Sequence, residues 1–474
     1  MPEVQAQPGV QVITLGCPKN EVDSEEMLGV LDGEGYALRA ADEPTDVVVV
    51  NTCGFIESAK RESVDAILEA VERKKAGSVS RVIVAGCLAQ RYRDELAAEM
   101  PEVDAFVGTG QMAAIGRAAA PSVDGAGRIA LVPERPRHRW VDAPSRPLSA
   151  APWMAYLKIS EGCDHRCTFC AIPSFRGPHV SKPLERVVAE ARYLVARGAR
   201  ELNLIAQDST QYGHDLYGRS ALPELLRALS DVDGARWLRV FYCYPSRVTP
   251  EVIAAIAETP RVCQYIDMPL QHADSDILRA MRRPMSARGY LDLVRRLRDA
   301  SPDVAIRTTF IVGFPGETEE QFASLLRFAE EARFDRAGAF EFSAEDGTPA
   351  SALPGRVPLR VKRERMGRLM RLQQGISLER NRAWVGRELE VLVERPAPPQ
   401  DARDGGAAHG GRSAAVPASM AGRSFRDAPE IDGEVRVGGA EGARPGDFVR
   451  VRVTRAHTYD LEGVATPASM EERA

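Results

Sequence analysis

Ala155-Tyr-Leu-Lys-Ile159, running into Ser160-Glu-Gly-Cys-Asp-His-Arg-Cys-Thr-Phe-Cys170, decides how the rest of this chain is read. The first five residues suit a buried strand, and the polar, glycine-containing stretch ends it. Cys163, Cys167 and Cys170 then fall on one loop in a CxxxCxxC spacing. Three thiolates so placed can hold three irons of a cubane cluster, leaving the fourth iron open for a substrate or cofactor. Structural zinc is the alternative, with His165 inside the loop as a further ligand. A closed zinc site usually brings a second ligand pair from a distance, and the sequence offers none here.

Downstream of this loop, strand-like runs at Glu201–Ala206, Trp237–Tyr242, Gln264–Met268, Val304–Val312 and Gly338–Phe342 are separated by helical patterns. The helical patterns fall at Leu184–Arg197, Leu222–Ser230, Glu251–Glu258, Gly289–Ala300 and Glu319–Ala332. Six β/α units predict a partial (β/α)6 barrel, closed by a long helix over Leu359–Trp384. In such a fold the carboxyl ends of the strands carry the chemistry. Gln207-Asp208, at one such end, either contacts a cofactor or caps the following turn.

Upstream, Val12–Leu15, Val47–Val50 and Val82–Ala85 read as buried strands, and Ser24–Leu31, Ser58–Lys75 and Ala89–Met100 as helices. This predicts a parallel α/β domain over 10–133. Each strand runs out at a cysteine: Cys17, Cys53 and Cys87. Taken singly these are more often small buried residues than ligands. In an open parallel sheet, however, strand ends share one edge, so cysteines 34 or 36 residues apart in sequence can converge. Cys243 and Cys263 sit in apolar surroundings and read as packing residues.

Proline recurs through Pro121–Pro152, so 134–152 is expected to link this domain to the barrel domain at 153–383. From 384 to 467 the pattern changes to apolar–polar alternation, as in Glu388–Glu394, Gly433–Val437 and Phe448–Thr454. That is the period of half-buried antiparallel strands, so a small β-barrel is expected. Arg395–Pro417, rich in Ala, Gly, Pro and Arg, reads as a disordered insertion in one of its loops.

The 474 residues are 44% hydrophobic and 27% charged, with a formal net charge of -5. These values exclude a disordered or collagen-like chain and argue against one that coats nucleic acid indiscriminately. No apolar run is long enough to cross a membrane, and Met1–Gly9 has no basic or apolar leader region. A reducing, cytoplasmic setting is expected, and there the eight cysteines need not form disulfides.

CxxxCxFC after the first strand of a six-unit series resembles the radical S-adenosylmethionine superfamily, with Gly162 at that family's loop glycine. The resemblance extends to Met268-Pro-Leu-Gln-His272 and to Arg307-Thr-Thr-Phe-Ile-Val-Gly-Phe-Pro-Gly-Glu317. It implies a cluster on Cys163, Cys167 and Cys170 that binds and reductively cleaves S-adenosylmethionine, with Phe169, Gln207, Arg307 and Gly313 as cofactor contacts. On their own the two motifs also read as ordinary turns at strand ends.

Thr14-Leu-Gly-Cys-Pro-Lys-Asn-Glu-Val-Asp-Ser-Glu-Glu26, Asn51-Thr-Cys53 and Ala85-Gly-Cys87 are similar to the methylthiotransferase family within that superfamily. There the N-terminal domain carries a second [4Fe-4S] cluster, here on Cys17, Cys53 and Cys87, and the terminal β-domain is a TRAM module. One branch modifies a tRNA adenosine beside the anticodon. The other modifies the β-carbon of an aspartate in a small-subunit ribosomal protein. Gly16-Cys-Pro-Lys-Asn20, Cys163–Gly177 and Pro269-Leu-Gln-His272 look like the ribosomal-protein branch.

Charge points the same way, because residues 384–474 hold twelve arginines and no lysine against fifteen acidic residues. An RNA-gripping module is ordinarily basic. The resemblance further implies an electron donor such as a flavodoxin or ferredoxin. A non-catalytic electron carrier is the reading from another class, but simple carriers ligate each cluster with four cysteines rather than three.

Overall fold

The computed structural model describes residues 7–121, 129–140, 146–149, 151–397 and 419–466. The N-terminal sheet consists of β1 (Gly9–Thr14), β2 (Ala37–Leu38), β3 (Val47–Thr52), β4 (Arg81–Gly86), β5 (Ala105–Val107) and β6 (Ile129–Leu131). All pair in parallel in the order β2-β1-β3-β4-β5-β6. Four consecutive valines, Val47–Val50, are buried in β3 because helices cover both faces of the sheet.

Several boundaries differ from the sequence reading. The first helix runs Pro18–Gly33 and begins directly after Cys17, not at Ser24. Pro18 at its start brings a fixed φ and loses no needed N–H. The expected helix over Ala89–Met100 is two helices, Cys87–Arg91 and Arg93–Glu99, which break at Tyr92. Strands β2, β5 and β6 hold only two or three residues, too few to show a period.

The proline-rich connection is not a free tether where it is described. β6 lies inside it, and Arg146, almost fully buried, ion-pairs with Glu25 and Glu190 at 3.1 and 2.9 Å.

The central domain begins with β7 (Met154–Lys158), followed by a short antiparallel pair, β8 (Ser160–Glu161) and β9 (Val180–Ser181). Then come β10 (Glu201–Ile205), β11 (Trp237–Val240), β12 (Tyr265–Asp267), β13 (Ala305–Val312) and β14 (Arg336–Glu341). Apart from β8 and β9, these strands form two parallel three-stranded sheets, β11-β10-β7 and β12-β13-β14. An isolated parallel bridge between Leu238 and Val262 joins them. Caps start the surrounding helices where the sequence permits, as with the Thr318–Gln321 capping box before Glu319–Ala332. The long helix Leu359–Arg382 follows β14.

A closed barrel is built from β15 (Glu388–Pro396), β16 (Met420–Ser424), β17 (Val435–Gly438), β18 (Phe448–Ala456) and β19 (Leu461–Ala465). Arg395 and Pro396, expected in the insertion, continue β15; residues 398–417 of that expectation lie outside the described residues. Val391, Val435, Val437, Val449, Val451 and Val453 fill the barrel core.

The three parts share one further apolar cluster. It unites Val22 of the first helix with Tyr156, Phe241 and Tyr265 of the central domain and with Leu392 and Ala428 of the terminal barrel. Both neighbouring parts therefore pack against the central domain.

Candidate functional site

The register Thr14–Asn51 and Asn51–Ala85 aligns the carboxyl ends of β1, β3 and β4, so Cys17, Cys53 and Cys87 leave the sheet along one edge. Close approach there depends on glycine. A Cβ on Gly16 (φ +98°) would lie 2.7 Å from Cys53 Cβ, and one on Gly86 (φ +91°) 2.4 Å from Asn51 Oδ1. Asn20 ties the loops together, donating from Nδ2 to Leu15 O at 2.8 Å and Thr52 O at 2.9 Å. Ser63 Oγ accepts from Cys53 N at 2.9 Å and donates to Cys53 O at 3.0 Å.

Burial pushes the Cys87 thiol up to about 12; Arg176 opposes this and the nearby Cys17 and Cys53 add to it. Cys53 is raised chiefly by burial, with Cys17 contributing.

The second triple is equally anchored. Gly162 (φ +77°) lets the loop pass Pro178, whose carbonyl would sit 2.0 Å from a Cβ. Thr168 donates from its N–H to Met281 O and from Oγ1 to Ala280 O. Cys170 N donates to Cys167 O at 3.2 Å. Arg283 stands 3.8 Å from Cys167 Sγ and over the Tyr244 ring. Burial pushes Cys163 and Cys170 up to about 12, with the neighbouring cysteines adding to it.

Buried thiols of raised pKa ionise readily only beside a compensating cation, as iron provides. Each triple thus offers thiol donors of the right chemistry for a cluster. The zinc alternative fares worse. Nε2 of His165 is held 2.7 Å from Asp208, and its ring lies stacked on Tyr244.

Of the other expected contacts, Phe169 packs with Ile277, Met281, Phe314 and Phe342. Gln207 Nε2 donates to Glu161, while its Oε1 is buried without a partner. Asp208 does cap the next turn, accepting from Thr210 N at 2.9 Å. Arg307 pairs with Asp267 at 2.9 Å and with Asp432 of the terminal barrel at 3.4 Å. Gly313 (φ +72°) donates its N–H to Glu317 Oε2 at 2.7 Å, and a Cβ there would overlap Lys362. The motifs Met268–His272 and Arg307–Glu317 lie side by side through a parallel bridge between Gln271 and Phe310.

A buried polar interface joins the two triples. Lys158 is fully buried between Asp23, Glu26 and Glu161. Arg176 donates from Nη1 to Asp23 at 2.8 Å and to Glu161 at 3.1 Å, from Nη2 to Asn20 Oδ1, and from Nε to Cys87 Sγ at 3.2 Å. Burial disfavours ionised Asp23 and Glu161, but Lys158 and Arg176 outweigh it and hold both carboxyls below their usual range. Glu161 directly precedes Gly162-Cys163, so one guanidinium connects the loops of both triples. The sequence reading quoted Arg176 within a motif without assigning it a role. Its partners lie up to 156 residues away, beyond any local pattern.

Three family models match the chain: the Uncharacterized protein family UPF0004 at residues 9–108, the Radical SAM superfamily at 157–329 and the TRAM domain at 385–466. The chain is 46% identical to the ribosomal protein uS12 methylthiotransferase RimO of Desulforamulus reducens, covering 96% of this chain and 99% of that protein. It is 49% identical to the protein of the same name from Anaeromyxobacter sp. (strain Fw109-5), covering 96% and 92%. Among solved structures, the radical S-adenosylmethionine methyltransferase TsrM from Kitasatospora setae, with cobalamin and a [4Fe-4S] cluster bound, shares the fold. Its TM-score is 0.56 at 16% identity, over 73% of this chain and 77% of that one.

Proposed function

We propose a function from one premise: this chain belongs to the ribosomal protein uS12 methylthiotransferase family. It is a radical S-adenosylmethionine enzyme that places a methylthio group on the β-carbon of an aspartate in ribosomal protein uS12, acting in the cytoplasm. The observation that carries this reading is the pair of cysteine triples facing one buried interface and linked through Arg176.

Cys163, Cys167 and Cys170 would hold one [4Fe-4S] cluster, and Cys17, Cys53 and Cys87 a second. With S-adenosylmethionine, these groups supply the reducing electron, the hydrogen-abstracting power, the sulfur and the methyl group. The chain's own residues supply the setting. Thr168 and Gly162 fix the radical-site loop. Asn20 and Ser63 fix the loops of the N-terminal triple. The first helix packs Val22 into the central cluster, and exclusion of water there favours a reactive intermediate over its side reactions. Phe169, Gln207, Arg307 and Gly313 stay assigned to the cofactor's surroundings, and the ion pair of Arg307 with Asp432 also ties that region to the terminal barrel.

A small one-electron protein of flavodoxin or ferredoxin type is the expected reductant. The excess of acidic residues in the terminal segment suits a basic ribosomal protein better than tRNA. Deoxyadenosine release, followed by chromatography in an anaerobic reaction, tests the choice. Stimulation by uS12 but not by bulk tRNA is expected; stimulation by tRNA alone overturns it.

A further inference from the structure

Lys19 lies two residues beyond Cys17 and is only 9% exposed. Among the described residues no carboxylate stands within ion-pair distance of it. This is unusual, because lysines are rarely buried unless paired. Lys158, deeply buried in the same interface, has three acidic neighbours. Among the described residues the Lys19 ammonium meets an aromatic face instead: Nζ lies 3.2 Å from the centroid of the Tyr242 ring, a cation–π contact that leaves hydrogen-bonding capacity on the nitrogen.

Tyr242 follows β11 at the carboxyl end of the central barrel and holds a left-handed backbone, φ +59°. A non-glycine residue keeps that conformation only when its surroundings enforce it. Here Tyr242 N donates to Asp267 Oδ2 at 3.2 Å, and Tyr242 O accepts from Ser209 N at 3.1 Å. Two residues on, Tyr244 stacks on His165 of the second cysteine loop. The Lys19 side chain thus starts two residues from Cys17 and ends over Tyr242, two residues before the Tyr244 ring that stacks on the loop of the other triple.

We propose that Lys19, seated on Tyr242, receives the side-chain carboxylate of the substrate aspartate and thereby places its β-carbon between the two cysteine groups. The inference rests on the proposed function and adds the determinant of substrate choice. An anion entering this position completes the pairing that Lys19 lacks. A neutral amide of the same shape does not, and charge-assisted pairing in a buried site discriminates by about tenfold to a hundredfold.

The test compares binding of uS12 and of its Asp→Asn variant at the modified position, read by calorimetry on the cluster-loaded enzyme with S-adenosylmethionine but no reductant. Wild-type enzyme prefers the aspartate form by at least tenfold. Lys19→Met brings the ratio close to one, and Lys19→Arg, which restores the charge, recovers most of the preference. An unchanged ratio in Lys19→Met overturns the inference, as does a Lys19→Arg ratio as flat as that of Lys19→Met, which would mark a packing role. If wild-type enzyme, given reductant, forms no methylthiolated uS12, the proposed function fails first and takes this inference with it.

Discussion

Replacing Arg176 by glutamine removes a 4% exposed guanidinium that serves four acceptors on both sides of the interface. Asp23 and Glu161 lose a cation at 2.8 and 3.1 Å. Lys158 still faces both, from 3.6 Å in the case of Glu161, so neither is left wholly uncompensated. Breaking a buried ion pair from one side costs about 3–5 kcal/mol. Loss of the donors to Asn20 and Cys87 adds about 1 kcal/mol, and the remaining Lys158 offsets a similar amount. The net expectation is about 4 kcal/mol.

With a urea slope of about 3 kcal/mol per molar, the unfolding midpoint falls by about 1 M. Trp140 reports on this region, since its ring lies 4.6 Å from Lys182 Nζ and 6.0 Å from Lys158 Nζ. Urea titration of the iron-free protein by tryptophan fluorescence is the assay, with Arg176→Lys as the companion that keeps the charge and recovers about half of the loss. A midpoint for Arg176→Gln within about 0.3 M of wild type would show that the interface does not depend on this residue, and the reasoning fails.

Changing Cys167 to Ala should lower iron from about eight to about four atoms per chain and stop deoxyadenosine formation, by iron assay and chromatography. Persistent cofactor cleavage would refute that assignment. Cys53→Ala should lose the same amount of iron but continue cleavage without methylthiolated product. Gly162→Ala sets a Cβ 2.0 Å from Pro178 O in a left-handed backbone, so reconstituted protein should lack the 163–170 cluster by electron paramagnetic resonance; a normal signal contradicts the strain argument. His272 is fully buried, and burial lowers it to about 4. Its unfolded form gains a proton below about 6.5, so stability is full above that pH and falls by about 3 kcal/mol as pH drops to about 4. A His272→Gln titration should show a flatter acid limb, and an identical limb rules the contribution out.

The cysteine spacing, the six β/α units and the alternation of the terminal strands were legible because each is a local pattern. Even the shared edge at which the strands leading to Cys17, Cys53 and Cys87 end could be argued, since parallel strands of one sheet end together. What the sequence hid is what depends on distant partners. The pairing of Arg307 with Asp267 and with Asp432, which comes from another domain, is one such case. Arg146 lies in a stretch that composition marks as linker, yet it is buried between carboxylates far along the chain. Lys19 was visible as a letter in a motif, but its missing counter-ion can be seen only once the interface is assembled.

The most direct measurement of the central claim is fragment mass spectrometry of an anaerobic reaction. It contains reconstituted protein, S-adenosylmethionine, reductant and sulfide, with uS12 and bulk tRNA offered together. The account predicts a methylthio group on the β-carbon of one aspartate of uS12 and unmodified tRNA. A methylthiolated nucleoside with unmodified uS12 would contradict it.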